Sequence, residues 1–338
     1  MTSIAPHITA FLKQRLAVER GVSENTSDSY AYTFSLLFAY SSEQLKVRPS
    51  QLLFEQMDAP LVASFLEHLE KVRGNKPNSR NVRLSAIKSF MRYMEYRVPS
   101  ALDQIRQILA IPSKRGDTRL VRHLGREEIR ALLDVPDPTT KNGIRDRAML
   151  NLCYSAGLRV SELVGLRITE LRLQPQASVL IRGKGRKERA LPLQKPTASA
   201  LRSWLAVRGH STAPELFLNA RAEPMTRSGF EWILRKHVAL ASKHCPTLLK
   251  KRVSPHVLRH SCALTVLQAT GDLRKVSLWL GHSSIKTTEI YTRADPSEKI
   301  EILQTIAPPG VRTARFKATD KLIATLKSSS LCGVKARR

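Results

Sequence analysis

Long apolar runs are missing from this sequence. A membrane-spanning helix needs roughly 18 or more consecutive apolar residues, and no segment supplies them. The opening residues Met1 to Ala10 are short and polar rather than signal-like. Cysteine is scarce: Cys153, Cys245, Cys262 and Cys332 lie far apart with no C-x-x-C pair. That spacing excludes a disulfide framework or a cysteine-rich zinc module and reads as reduced thiols in a cytoplasmic protein. Walker-type glycine loops are absent, as are paired carboxylates of the kind that hold Mg²⁺. The expectation is a chain that uses no cofactor and no metal.

Negative charge is the remaining shortage. Against 56 Lys and Arg stand 28 Asp and Glu, a formal net charge of +28, far more basic than an enzyme of neutral substrates requires. Nucleic acid is the expected partner, with binding that weakens steeply as salt rises because counterions are released from neutralised phosphates. A ribosomal-type or membrane-surface binder would share the charge. However, 338 residues with 42% hydrophobic composition can bury a substantial core, and that length suggests two domains.

Between His256 and Tyr291 the sequence sets His256, Arg259, His282 and Tyr291 among helix punctuation. Ser254 is placed to cap a helix with Pro255 at its first position, where the missing N–H costs nothing. His256 and Arg259 then share its first turn, where free N–H groups and the helix dipole favour an anion. Gly271 ends this helix. A second short helix runs from Asp272 to Gly281 and delivers His282, and Ser283 or Ser284 can cap the segment Ile285 to Thr292 that carries Tyr291. Each residue has a plain alternative. His256 and His260, four apart, could be half of a metal site or ordinary surface histidines, and Tyr291 could be core.

Upstream, an apolar helix breaks at Gly157 and resumes with Val160, Leu163 and Val164 inward, leaving Arg159 either as a functional group or as a structural partner of Glu162. Ala177 to Arg182 and Glu188 to Leu193 read as two strands joined by Gly183-Lys184-Gly185-Arg186-Lys187. Flanking glycines would let Lys184 approach a DNA backbone closely.

These motifs together (Gly-Leu-Arg-x-Ser-Glu-Leu at Arg159, the Gly-Lys-Gly hairpin, His256-x-x-Arg259-His260, Leu280-Gly281-His282, and Thr287 to Thr292 around Tyr291) resemble the tyrosine recombinases of the phage-integrase family, most closely bacterial Xer-type and transposon-borne members. The resemblance covers roughly residues 140 to 295. Carried over residue by residue, it implies that Arg159 and Arg259 clamp the phosphate, that Lys184 protonates the leaving 5′ oxygen, and that Tyr291 is the nucleophile. His256 would accept the tyrosine proton or orient the phosphate, and His282 would donate to that phosphate. A covalent 3′-phosphotyrosine conserves bond energy, so neither ATP nor metal is required.

The resemblance implies a mainly α fold with a small antiparallel β-sheet: an N-terminal helical-bundle, SAM-like core-binding domain over residues 1–113, a linker at 114–122, an α+β catalytic domain over 123–310, and a basic tail at 311–338. Arg80, Arg83 and Lys88 lie off the apolar stripe of a helix containing Val82, Leu84, Ile87, Phe90 and Met94, and with Arg186 and Lys187 they are the expected DNA contacts. Residues 307 to 338 carry eight Lys or Arg and one Asp, a tail that suits DNA, a partner or disorder. The implied partners are double-stranded DNA and a homotetramer on two sites, with or without partner recombinases, in a cytoplasmic, nucleoid-associated bacterial protein. The first expectation is a mobile-element recombinase. A chromosome-dimer resolving Xer-type enzyme, a type IB topoisomerase-like enzyme and a non-catalytic DNA-binding protein are the alternatives.

Overall fold

The computed structural model describes residues 1–116, 121–183, 188–209, 211–282 and 284–292, and the chain divides into two units, Met1–Arg119 and Leu120–Arg338. Among the described residues of the first unit the regular elements are all helical. Ile4–Ala10 (α1) continues without a break as a π-helical stretch, Phe11–Glu19, and Glu24–Leu45 (α2), Ala59–Lys71 (α3), Pro77–Met94 (α4) and Leu102–Ala110 (α5) follow. Asp58 caps α3 by accepting the Leu61 N–H at 2.8 Å, and Pro77 opens α4 a residue ahead of the Asn78 or Ser79 start that the sequence suggests. The aromatic stripe of α2 is core. Phe34 is buried and meets Phe90 of α4 edge-on at 5.4 Å, while Phe11 meets Phe90 at 5.3 Å. Such pairs add about 0.5–1.5 kcal/mol beyond burial alone.

Among its described residues the second unit combines packed helices with a three-stranded antiparallel sheet. Its elements are α6 (Arg126–Asp134), α7 (Lys141–Ser155), α8 (Val160–Val164), β1 (Leu171–Arg172), β2 (Ser178–Arg182), β3 (Glu188–Pro192), α9 (Lys195–Arg208), α10 (Arg227–Ala241), α11 (Pro255–Thr270) and α12 (Leu273–Leu280). Strand order is β1-β2-β3, with Leu180 opposite Ala190 and Leu171 opposite Val179. Val179, Ile181 and Leu191 bury one face, the period-2 pattern that marked the hairpin in the sequence. The two-residue strand β1 is too short to leave such a pattern.

One buried polar network ties α7 to α10. Asp146 of α7 accepts from Arg145 Nε at 3.0 Å and Nη2 at 2.7 Å, and its other oxygen lies 2.9 Å from His237 Nε2 of α10. All three side chains are nearly dry. Replacing Asp146 by Ala strands a buried guanidinium, and we expect a stability loss of about 3–5 kcal/mol, read by urea denaturation. An unchanged midpoint would show that this network is dispensable.

Candidate functional site

α7 ends at Ser155, and two residues on the chain turns at Gly157, whose φ of +57° lies in the left-handed region. A Cβ there would also stand 2.6 Å from Leu280 Cδ2 and 3.2 Å from Cys262 Sγ, so both conformation and packing require glycine. The turn makes Arg159 the N-cap of α8. Glu162, three residues on, accepts the Arg159 backbone N–H at 3.0 Å and its Nη1 at 2.7 Å, so it supplies the glutamate half of a capping box and pairs with the guanidinium as well.

Glu162 also collects arginines from other elements. Arg189 of β3 donates to both its oxygens, at 3.3 and 2.8 Å, and Arg259 Nη1 of α11 stands 3.9 Å away. The Glu162 side chain is 4% exposed. Burial pushes its pKa up, but the hydrogen bond and charge of Arg189 and the Arg159 contacts outweigh that, holding the carboxyl below its usual range.

Arg259 is buried and spends its terminal nitrogens on the carbonyls of Gly157 and Leu280, the latter at 2.7 Å. Burial first, then the neighbouring Arg159, lowers its pKa to about 10, which still leaves it cationic at neutral pH. Arg159 has 35% of its side chain exposed, far more than Arg189 or Arg259, and so offers the accessible face of the cluster.

The local reading of α11 and α12 matches the structure. Ser254 accepts the Val257 N–H, Gly271 ends α11 with φ +60°, Asp272 caps α12, and Gly281 closes it at φ +64°. A Cβ on Gly281 would meet Arg189 Nη1 at 2.8 Å, so the turn that presents His282 lies directly on the arginine cluster. A 3-10 turn, Ile285–Thr287, follows after Ser284, and Tyr291 comes back into the core with 1% exposure. There it joins Ala263, Leu264, Leu267, Val276 and Leu280.

The structure brings Arg159, Arg259, His282 and Tyr291 into one region, but it does not bring His256 to Tyr291. His256 is exposed and makes no hydrogen bond among the described residues, while Arg259, three residues on, points inward. The imidazole against the phenol is His260, with Nδ1 2.9 Å from Tyr291 Oη and ring centroids 5.6 Å apart. His282 stacks parallel to the phenol ring at 6.4 Å, and its Nδ1 lies 2.9 Å from Oγ1 of the buried Thr288.

Burial pushes the phenol up to about 12. Burial followed by neighbouring positive charge lowers His260 and His282 to about 4, so at neutral pH both rings are neutral and the tyrosine keeps its proton. Lys184, Arg186 and Lys187 lie outside the described residues, as does everything after Thr292. Among the described residues no three His, Cys, Asp or Glu side chains converge as metal ligands, and no helix is long and apolar enough to cross a membrane.

His260, Arg189, Glu162 and Thr288 are site residues that the sequence reading did not assign. The motif spacing contained the first three, since His260 follows Arg259, Arg189 closes the hairpin motif, and Glu162 follows Arg159 by three.

The expected DNA contacts in the first unit divide. Arg80 is not on a solvated basic face: it is buried, donates to the Pro112 carbonyl at 3.1 Å and lies 3.8 Å from Glu70. Its register on α4 turns it toward the segment after α5, so it is a structural arginine. Arg83 is half-buried, donates to Ser29 and Thr33, and sits 4.8 Å over the exposed Tyr32 ring. Lys88 is half-buried, and burial followed by Arg92 and Arg80 lowers its pKa.

Residues 122–298 match the Phage integrase family, and residues 8–97 match the Phage integrase, N-terminal SAM-like domain. The chain is 42% identical over 326 residues to a putative integrase/recombinase y4rC of Sinorhizobium fredii, covering 96% of this chain and 98% of the relative. It is 33% identical to tyrosine recombinase XerC of Pelobacter propionicus over 93% of this chain and 98% of that one. Among solved structures it is similar to XerH recombinase in a post-cleavage complex with palindromic difH substrate, with TM-score 0.66 at 24% identity over 85% of this chain and 81% of that one. The Tn1549 transposon integrase with transposon right end DNA gives 0.64 at 20% identity over 88% and 98%. A helical first unit, a second unit carrying the arginine cluster and its tyrosine, and relatives matched along nearly their whole length agree: this chain belongs to the phage integrase family of tyrosine recombinases.

Proposed function

We propose that this protein is a site-specific recombinase of a mobile genetic element that cuts and rejoins double-stranded DNA through a 3′-phosphotyrosine on Tyr291. The observation that carries the reading is the buried Tyr291 beside a carboxylate-held cluster of Arg159, Arg189 and Arg259 whose accessible face is Arg159. Charge that develops on the phosphoryl oxygens during attack is met by Arg159 and Arg259, planar cations fixed before substrate arrives. His282 supplies a hydrogen bond to the same phosphate, and Lys184 protonates the departing 5′ oxygen. His256, exposed at the mouth of α11, contacts the phosphate or the backbone beside it.

Residues 1–113 act as the core-binding clamp, joined by 114–122 to a catalytic domain at 123–310, with 311–338 as a basic tail. Arg83, Lys88, Arg186 and Lys187 neutralise backbone phosphates. A homotetramer on two sites, with or without partner recombinases, is the working assembly, and the nucleoid is its working place. Greater identity to the relative named integrase/recombinase, 42%, than to the one named XerC, 33%, favours the mobile-element role over dimer resolution.

The test uses nicked duplexes carrying the ends of the element that encodes the chain, alongside a supercoiled plasmid carrying the same ends. Strand exchange between two duplexes is expected. Relaxation of supercoiled DNA without exchange would overturn recombination in favour of a topoisomerase-like activity.

A further inference from the structure

We propose that His260 is the base that takes the phenol proton from Tyr291 as the phosphotyrosine bond forms, and that it returns the proton when that bond breaks. The inference rests on the reading of Tyr291 as nucleophile and assigns the proton route within it.

Tyr291 Oη is buried, and among the described residues its hydrogen-bond partner is His260 Nδ1 at 2.9 Å. A buried hydroxyl without an acceptor is costly, so the phenol donates and Nδ1 accepts, leaving the ring proton of His260 on Nε2. Burial, with His256 and Arg259 close by, keeps this imidazole neutral at neutral pH and its lone pair available. The other candidate rings are placed differently. His256 is exposed, and His282 has its Nδ1 against Thr288 and stacks flat beside the phenol ring.

The phenol is too weak an acid here to ionise first, so its proton leaves as the new bond forms. The Tyr291 oxygen bonds to phosphorus while the bond from phosphorus to the 5′ oxygen breaks. The phenol proton passes to His260 Nδ1, and the 5′ oxygen takes a proton from the general acid, proposed above as Lys184. In rejoining, a 5′ hydroxyl attacks phosphorus, its proton returns to that general acid, and the His260 imidazolium protonates the departing tyrosine oxygen. One residue thus serves as base in cleavage and acid in rejoining.

The test compares wild type with His260→Asn, whose side-chain oxygen can occupy the place of Nδ1 and accept the phenol hydrogen bond but cannot take a proton. On a nicked suicide duplex carrying the element's end sequence, covalent adduct formation in the variant is expected to slow by about a hundredfold or more, with gel-shift affinity unchanged. Difluorotyrosine at position 291, a stronger acid, should restore the variant by about tenfold or more while changing the wild-type background less. A purely structural His260 would give the same loss with either phenol.

Nitrogen-15 NMR of the free protein provides a check without DNA: an unprotonated Nδ1 is expected, and a protonated Nδ1 overturns the proposal. Adduct formation by His260→Asn at the wild-type rate would also overturn it while leaving Tyr291 as nucleophile. Failure of wild type itself to form an adduct on DNA that it binds would overturn the phosphotyrosine reading, and the role of His260 with it.

Discussion

Tyr291→Phe is expected to bind the element's DNA ends with unchanged affinity and to form no covalent protein–DNA adduct on nicked suicide duplexes. The phenyl ring keeps every packing contact of the phenol, including the face against His282 and the cluster with Leu264, Leu267, Val276 and Leu280. The substitution removes one hydroxyl and its hydrogen bond to His260, worth about 1 kcal/mol of stability. Chemically the effect is complete, because the atom that would bond to phosphorus is gone. Denaturing gels after incubation with labelled duplex read the result directly, and a thermal melt confirms that the variant is folded. A labelled adduct surviving in Tyr291→Phe would show that another residue is the nucleophile.

Much of this site was legible in the sequence because helix punctuation is local chemistry. A serine before a proline, an aspartate after a glycine, and glycines closing helices each satisfy backbone groups within a few residues, and Ser254, Gly271, Asp272 and Gly281 do so. Which histidine meets the tyrosine was not local. His256 and His260 lie one turn apart on α11, but Ala263, Leu264 and Leu267, at three, four and seven residues beyond His260, are the α11 residues that share the buried cluster of Tyr291. That spacing was available as a signal. Its partner, however, arrives by way of α12 and a 3-10 turn whose path no single-residue rule predicts.

Arg189 was hidden for a similar reason. Its place in the strand puts it on the same face as the buried Leu191 but does not show that Glu162 waits opposite. Arg80 was misplaced because a basic residue beside an apolar stripe reads as solvated until the segment after α5 is seen to supply its carbonyl. Glu70 completes that environment.

Glu162→Ala is expected to be the most damaging single change that leaves every proposed reacting group in place. Its carboxylate lies between guanidiniums from three elements, α8, β3 and α11, two of which are nearly dry. Removing it strands the Arg189 and Arg259 charges, with Arg159 close enough to repel them. Breaking a buried pair by deleting one partner costs about 3–5 kcal/mol. For a unit of this size that lowers the melting temperature by roughly 6–20 °C. Cleavage should slow by about a hundredfold as well, because guanidiniums that spread apart no longer meet both phosphoryl oxygens.

Acid titration separates the charge of Glu162 from its shape. The folded protein holds this carboxyl below its usual value of 4.5, so its contribution is fully present above that pH and is lost as pH falls through the folded value. His260 and His282 act in a different window. Their pKa values fall from 6.5 to about 4 on folding, so the unfolded chain binds more protons between those values and stability already declines as pH drops from 6.5. In Glu162→Gln the decline between pH 6.5 and about 4 should therefore persist, while the further loss below about 4.5 shrinks to the part carried by Glu128 and the other carboxyls that the fold holds low. Urea denaturation across this range resolves both limbs. If the lower limb in Glu162→Gln is as large as in wild type, or Glu162→Ala melts within about 1 °C of wild type, the carboxylate does not hold the arginine cluster together.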